Sequence, residues 1–315
     1  NPRNTMAEEA PDYHKEQRKK SSLIPTKINR RAWISNSLKF AIPPVLAGGY
    51  ARYESSWFDL TKTRIRLANL AGNQTIKILH LSDLHLSKVI SVEQIESALE
   101  EGFQSKPHAC MITGDFVTDM PKNDQLESLS KCLGKYAKQV PTFACLGNHD
   151  GGNWAAERDG FPDPTKIKKV LKAAKVRLLH NERVNVYLNG IPLSVTGLGD
   201  MWNKDCLPQK CMPRIDPKLG PSSRFNLLLS HNPDTKTIIH NFDWSLMLSG
   251  HTHGGQFRFP FSNFAPLAPV SDLAHTEGLA EFHGRPIYIT RGVGSLYGMR
   301  VNCRPEVSLL ELSRT

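Results

Sequence analysis

The stretch "WSLMLSGHTHGG" at 244–255 runs an apolar segment directly into two histidines, His251 and His253, set one residue apart between glycines. "WSLML" at 244–248 reads as a buried strand, a short apolar run closed by turn residues. Gly250, Gly254 and Gly255 permit the tight backbone that follows. Two imidazoles therefore leave the end of a strand, where α/β proteins assemble their sites. By itself such a turn fits a metal site or a plain loop equally well, so the rest of the chain has to supply partners.

It supplies four. "IKILHLSDLHLS" (76–87) is a strand running into Asp83 and His85, and "HACMITGDFVTD" (108–119) one that ends at Gly114-Asp115. "PTFACLGNHD" (141–150) ends in Asn148, His149 and Asp150, and "RFNLLLSHNPD" (224–234) delivers His231. Between the early strands lie amphipathic helices at 91–104, with Ser91 placed to cap it, and at 126–138. Five times an apolar strand stops, a Gly or Ser turns the chain, and Asp, Asn or His appears. Buried polar groups at five strand ends would be unsatisfied unless they face one shared site. Asp, Asn and His are hard or borderline donors, suited to divalent Mn, Fe or Zn. A carboxylate bridging two such ions would let them activate water and clamp a phosphoryl group.

Composition agrees with a folded body: 315 residues, 39% hydrophobic and 22% charged. The six cysteines form no C-x-x-C, and Cys110 and Cys145 lie in apolar runs, which predicts reduced thiols. Cys206 and Cys211 lack the neighbouring ligands of a zinc site. The net charge of +10 is concentrated early, with 13 Lys/Arg against 6 Asp/Glu in residues 1–66. This predicts a basic arm (1–75) ahead of a catalytic domain (76–315). Arg30-Arg31 before "AWISNSLKFAIPPVLAGGYA" has the form of an export signal, but Lys39 and Pro43-Pro44 interrupt the apolar stretch. The flank suits an anionic membrane surface better than a span. The modest charge of the body argues against a nucleic-acid partner.

The blocks D-x-H, GD, GNHD, SH and GHTH, in this order over 76–312, resemble the calcineurin-like metallophosphoesterases. The resemblance implies a four-layer αββα sandwich around two central mixed sheets. It implies that Asp83, His85 and His253 hold one divalent ion and that Asn148, His231 and His251 hold the other, with Asp115 bridging. Manganese is the expected metal, with iron or zinc as alternatives. His149 is expected to stabilise the transition state or protonate the leaving oxygen. Asp150 orients its ring or serves as a turn residue, and Asp119 is left between a site role and a helix cap.

"GHTHGGQ", the segment 290–312 and the twin-arginine leader further resemble a membrane-associated bacterial branch of that family. That likeness implies a nucleotide-linked lipid substrate, UDP-2,3-diacylglucosamine, cleaved to UMP and 2,3-diacylglucosamine 1-phosphate in lipid A synthesis. It also implies a peripheral position on the cytoplasmic face of the bacterial inner membrane, with export as the alternative. A phosphodiesterase or phosphatase of different or broad substrate is the rival, and a non-catalytic scaffold a distant one. Phe257, Phe259, Phe261 and Phe264 suggest an acyl groove or core filling, and the insertion at 201–223 a lid. Arg291 and Arg300, flanking "GVGSLYG", are phosphate contacts or structural ion pairs.

Overall fold

The computed structural model describes residues 46–218, 220, 222, 224–259 and 265–315. Most of the expected basic arm, and Phe261 and Phe264, lie outside the described residues.

Two six-stranded sheets carry the body. The first has the order β1 (Asp59–Leu67), β12 (Glu306–Arg314), β2 (Ile76–Leu81), β3 (Ala109–Thr113), β4 (Thr142–Cys145), β5 (Arg177–Leu178). β2 to β5 run parallel, β12 is antiparallel to β2, and β1 is parallel to β12. The second has the order β10 (Gly278–Phe282), β11 (Arg285–Ile289), β9 (Leu246–Ser249), β8 (Asn226–Leu229), β7 (Ile191–Gly197), β6 (Glu182–Leu188). Its four inner strands are parallel, and antiparallel β10 and β6 close its edges. Both sheets are thus mixed, as expected.

The period of two in each strand decides what lies on either side. Ile76, Ile78, Met111 and Phe143 meet Leu193, Val195, Leu227 and Leu248 between the sheets. Leu79, Leu81, Cys110 and Ile112 face the other way, onto three helices. These are α2 (Val92–Phe103), α3 (Asn123–Ala137) and α4 (Thr165–Ala173). Ser91 caps α2 by accepting from Gln94 N, as its position predicts. α3 starts with Lys122 at its cap, so Asp119 lies outside the helix and does not cap it. On the far face of the second sheet, Leu228, Met247 and Ile287 are covered by Met212, Phe242 and Trp244. That outer layer contains 3₁₀ turns, Pro208–Lys210 and Pro233–Thr237. All six cysteines are free.

The domain boundary expected at residue 75 needs correcting. Residues 49–315 form one compact unit. β1, inside the expected arm, pairs along its whole length with β12. In "DLTKTRIRL" Ile65 and Leu67 are buried while Lys62, Arg64 and Arg66 point outward. A half-buried strand with a basic outer face thus entered the charge count as part of a tail. Residues 46–54 are helical (α1), and Arg52 ties this helix to the body through Gly298 O and Val89 O.

Candidate metal centre and active site

All the expected site residues sit after the C-terminal ends of five parallel strands, β2, β3, β4, β8 and β9. Consecutive parallel strands return the chain to the same edge, so each turn releases its polar residue at one place. The turns are severe. Asp83, His85, Asp115, His251 and His253 all have left-handed backbone, with φ of 53°, 49°, 54°, 68° and 51°. Non-glycine residues held there store strain and are a mark of functional sites. Two glycines make the approach close enough. A Cβ on Gly147 would sit 2.2 Å from Asp115 Oδ1, and one on Gly250 would sit 2.3 Å from Asp83 Oδ2.

The side chains form three overlapping groups, of which the third, His85, Asp115 and His149, joins the other two. Asp83, His85 and His253 make the first: His253 Nε2 is 3.4 Å from Asp83 Oδ1 and 3.0 Å from His85 Nε2. Asp115, His231 and His251 make the second, with His231 Nε2 3.1 Å from Asp115 Oδ2 and from His251 Nδ1. Asp115 Oδ2 is also 3.6 Å from His85 Nε2, which sets it between the groups. Asn148 lines the cavity beside them, and its Oδ1 is buried without a hydrogen-bond partner.

The outer ring nitrogens fix which lone pairs face inward. His85 Nδ1–H donates to Thr118 Oγ1, whose own proton goes to His85 O. His231 Nδ1–H donates to Thr113 O, and His251 Nε2–H to Pro269 O. In His85 and His251, which burial keeps neutral, the remaining nitrogen is an acceptor. His85 Nε2 and His251 Nδ1 therefore present acceptors to the cluster, about 3 Å from His253 Nε2 and His231 Nε2, while His253 Nδ1 is buried without a partner. Burial, with neighbouring cationic groups, drives His251 and His253 well below the usual imidazole range, and burial pushes His85 down to about 3. These three rings are therefore neutral, as metal ligands must be, whereas His231 has to lose a proton to an incoming ion. Against the cost of burial, Asp115 lifts His231 to about 10 and is itself held well below the carboxylate range, chiefly by His231. Orphaned Asn148 Oδ1, the acceptor nitrogens of His85 and His251 and the carboxylate of Asp115 between the groups all fit a pair of divalent ions.

His149 is placed differently. Its Nδ1–H donates to Thr118 O at 2.7 Å, so the ring's other nitrogen is left for the cavity that it lines. Asp150 does not orient this ring, because its carboxylate is already committed. It accepts from the backbone N–H of Asp115, Phe116 and Gly147, at 2.9, 2.7 and 2.8 Å. Asp150 thus laces the β3 turn to the β4 turn, which is the turn-residue role. Burial and the nearby Asp115 push its pKa up to about 8 against those amide contacts.

Arg291 and Arg300 are structural. Fully buried Arg300 donates to the carbonyls of His253, Arg291, Gly292, Gly294 and Cys303, holding the Gly-rich loop against the His253 turn. Arg291 pairs with Asp59, Glu277 and Glu306.

With the geometry in place, its likeness to other proteins becomes specific. Residues 76–255 match the family described as calcineurin-like phosphoesterase. The chain belongs to that family. Among its relatives, Phosphodiesterase YaeI of Escherichia coli is 40% identical over 84% of this chain and 92% of its own length. The metallophosphoesterase YkuE of Bacillus subtilis is 26% identical, over 92% and 99%. The UDP-2,3-diacylglucosamine pyrophosphatase LpxG of Chlamydia trachomatis is 25% identical, over 78% and 85%. As a calcineurin-like phosphoesterase the protein is a hydrolase of a family that works with divalent metals.

This phosphoesterase also has site residues that its sequence blocks did not reveal. Asp200 is buried after β7, lines a neighbouring cavity with Gly147 and Asn203, and has an unpartnered Oδ2, with burial raising its pKa to about 6. The signal was present: "SVTGLGD" repeats the rule of apolar strand, glycine, carboxylate. Trp154, in a single helical turn (Asn153–Ala156), and Arg158 and Trp202, in turns, line the cavity and follow no spacing rule.

Proposed function

We propose that the protein hydrolyses a phosphodiester or phosphoanhydride bond with two divalent ions, manganese being the metal to supply first. The observation that carries this reading is Asp115, set between two buried ligand groups on the floor of a cavity of about 570 Å³. Asp83, His85 and His253 would hold one ion, and Asn148, His231 and His251 the other. When bound, such a pair supplies an activated water and offsets charge on the phosphoryl oxygens. His149, with Nδ1–H held by Thr118, would in its imidazolium form give the proton on its cavity-facing nitrogen to the leaving oxygen, becoming a neutral ring.

The narrower proposal is the pyrophosphate of UDP-2,3-diacylglucosamine, cleaved to UMP and 2,3-diacylglucosamine 1-phosphate in lipid A synthesis. It is supported by LpxG of Chlamydia trachomatis and by apolar cavity residues, among them Phe257, Leu267 and Leu296. A simpler phosphodiester is supported by YaeI of Escherichia coli. For the lipid reading we propose peripheral attachment at the cytoplasmic face of the inner membrane, with export as the alternative. Among the described residues no helix is long and apolar enough to cross a membrane. Exposed Tyr50, Tyr53 and Trp57 follow the basic arm, and such aromatics favour a membrane interface.

The test is UMP release, followed by mass spectrometry, from UDP-2,3-diacylglucosamine in detergent with Mn²⁺, beside bis(p-nitrophenyl) phosphate and an EDTA control. Metal-dependent UMP release at higher kcat/KM than the aryl ester establishes the lipid substrate. Cleavage of the aryl ester alone keeps the chemistry and discards the lipid. Silence on both overturns the proposal.

A further inference from the structure

Two indoles join the two ends of the metal centre. Trp154 lies 4.8 Å from the His149 ring, edge to face, and Trp202 lies 4.3 Å from the His251 ring at 87°. The indoles are 5.3 Å apart, centroid to centroid, and tilted by 38°. That separation is ordinary aromatic contact and leaves no slot between them for a third ring. Together they form a continuous wall from His149 to His251. Both are half-buried and line the cavity.

The wall is fixed to the reacting floor. Asn203 accepts from Trp154 N at 3.0 Å and donates to Asn148 O at 3.2 Å. Asp200 Oδ1 accepts from Asn203 N at 2.8 Å, which sets the turn that presents Trp202. Arg158 stacks on Trp154, its guanidinium carbon 4.2 Å from the ring centroid, and donates to Trp154 O. One short segment after β4 and the first turn of the 201–223 insertion are thereby locked together beside Asn148. An expected lid is, in its first residues, part of the cavity wall.

We propose that Trp154 and Trp202 bind a planar aromatic ring in the organic part of the substrate, so that the enzyme selects phosphoesters that carry one. The proposal rests on the phosphoesterase reading given above, because that reading places the phosphorus on the floor beside the wall. A ring stacked there stays within reach of His149, and Arg158 adds a cation beside it. Stacking of a base on an aromatic side chain contributes roughly tenfold or more in affinity. Under the pyrophosphatase reading, uracil is the ring concerned.

Calorimetry on the full-length, manganese-loaded protein tests this without requiring turnover. The paired probes are UMP against ribose 5-phosphate and phenyl phosphate against ethyl phosphate, with octyl phosphate as the acyl-like control. UMP is expected to bind about tenfold tighter than ribose 5-phosphate, the order of one stack. Trp154→Ala and Trp202→Ala should each remove most of that increment while ribose 5-phosphate affinity and metal content stay as in wild type. Trp202→Phe should keep part of it, and it serves if an alanine variant does not fold. A gain confined to UMP identifies a nucleobase, and one shared by phenyl phosphate identifies aromatic rings generally; both sustain the proposal. Equal binding of UMP and ribose 5-phosphate, with no gain for phenyl phosphate, overturns it. So does an increment that survives both alanine variants, or one shown only by octyl phosphate, which assigns the wall to acyl chains. An aromatic increment without phosphoester hydrolysis sinks the functional reading and leaves the wall. Hydrolysis without the increment does the reverse.

Discussion

The floor of the cavity and its wall are built by opposite means. On the floor, Asp83, His85, Asp115, His231, His251 and His253 are buried, and five of these six have left-handed backbone at strand ends. On the wall, Trp154, Arg158 and Trp202 are half-buried or exposed, on short turns whose link to the floor runs through Asn203. Strand ends fix positions closely because the ladder behind them cannot slide without turning every core residue outward. Turns carry no such constraint and accept change more readily. On the readings proposed above, chemistry would belong to the floor and selectivity to the wall.

Substitutions can break or sharpen that division. The largest effect is expected for Asp115→Ala, which removes the carboxylate between the groups. Activity should fall on the order of 10³-fold or more, the several kcal/mol that a metal pair supplies. Metal analysis should show both ions weakened; loss of one alone would show that Asp115 does not bridge. His149→Ala should lower kcat by about 10²-fold or more through loss of the proton donor. Metal occupancy should hold, and empty sites in that variant would make His149 a ligand instead.

Asp150→Ala tests the scaffold behind the floor. Leaving three buried N–H groups without their acceptor should cost on the order of 3 kcal/mol, read from urea unfolding. A stability close to wild type with kcat alone reduced would return Asp150 to a chemical role. The smallest expected effect is one of pH. His80, between the sheets, bonds Thr113 Oγ1 through Nε2, and burial pushes its pKa down to about 3. Its folded-state pKa lies below the unfolded value near 6.5, so its contribution is complete above that pH and declines as pH falls toward 3. The slope reaches at most about 1.4 kcal/mol per pH unit for this one group. Urea midpoints at pH 7.5 and 5.0 should therefore diverge less in His80→Gln than in wild type.

The same division explains what could be read from the sequence. Floor residues follow glycines at strand ends, so "GD", "GNHD" and "GHTH" expose them in a linear scan. Asp200 obeys that rule in "SVTGLGD" and was readable on the same terms. Trp154 and Trp202 gave no such signal, because their meeting depends on Asn203 joining a one-turn helix to a distant turn. Asp150 looked chemical for standing beside His149 in the chain, although its carboxylate turns away to three backbone amides. β1 was misplaced because outward-facing Lys62, Arg64 and Arg66 outweigh two buried apolar residues in a charge count.

The place of β12 has a consequence for how the protein is made. Residues 306–314 lie between β1 and β2 and provide all the pairing that joins β1 to its sheet. While the chain is being synthesised from its N-terminus, those two strands emerge early and then wait, with bare edges, for the last segment to arrive. The Arg291 and Arg300 contacts that brace the His253 turn come equally late, since they draw on Glu306 and Cys303. A nascent chain stalled before residue 300 would carry every residue proposed to hold metal and still lack the keystone that sets them.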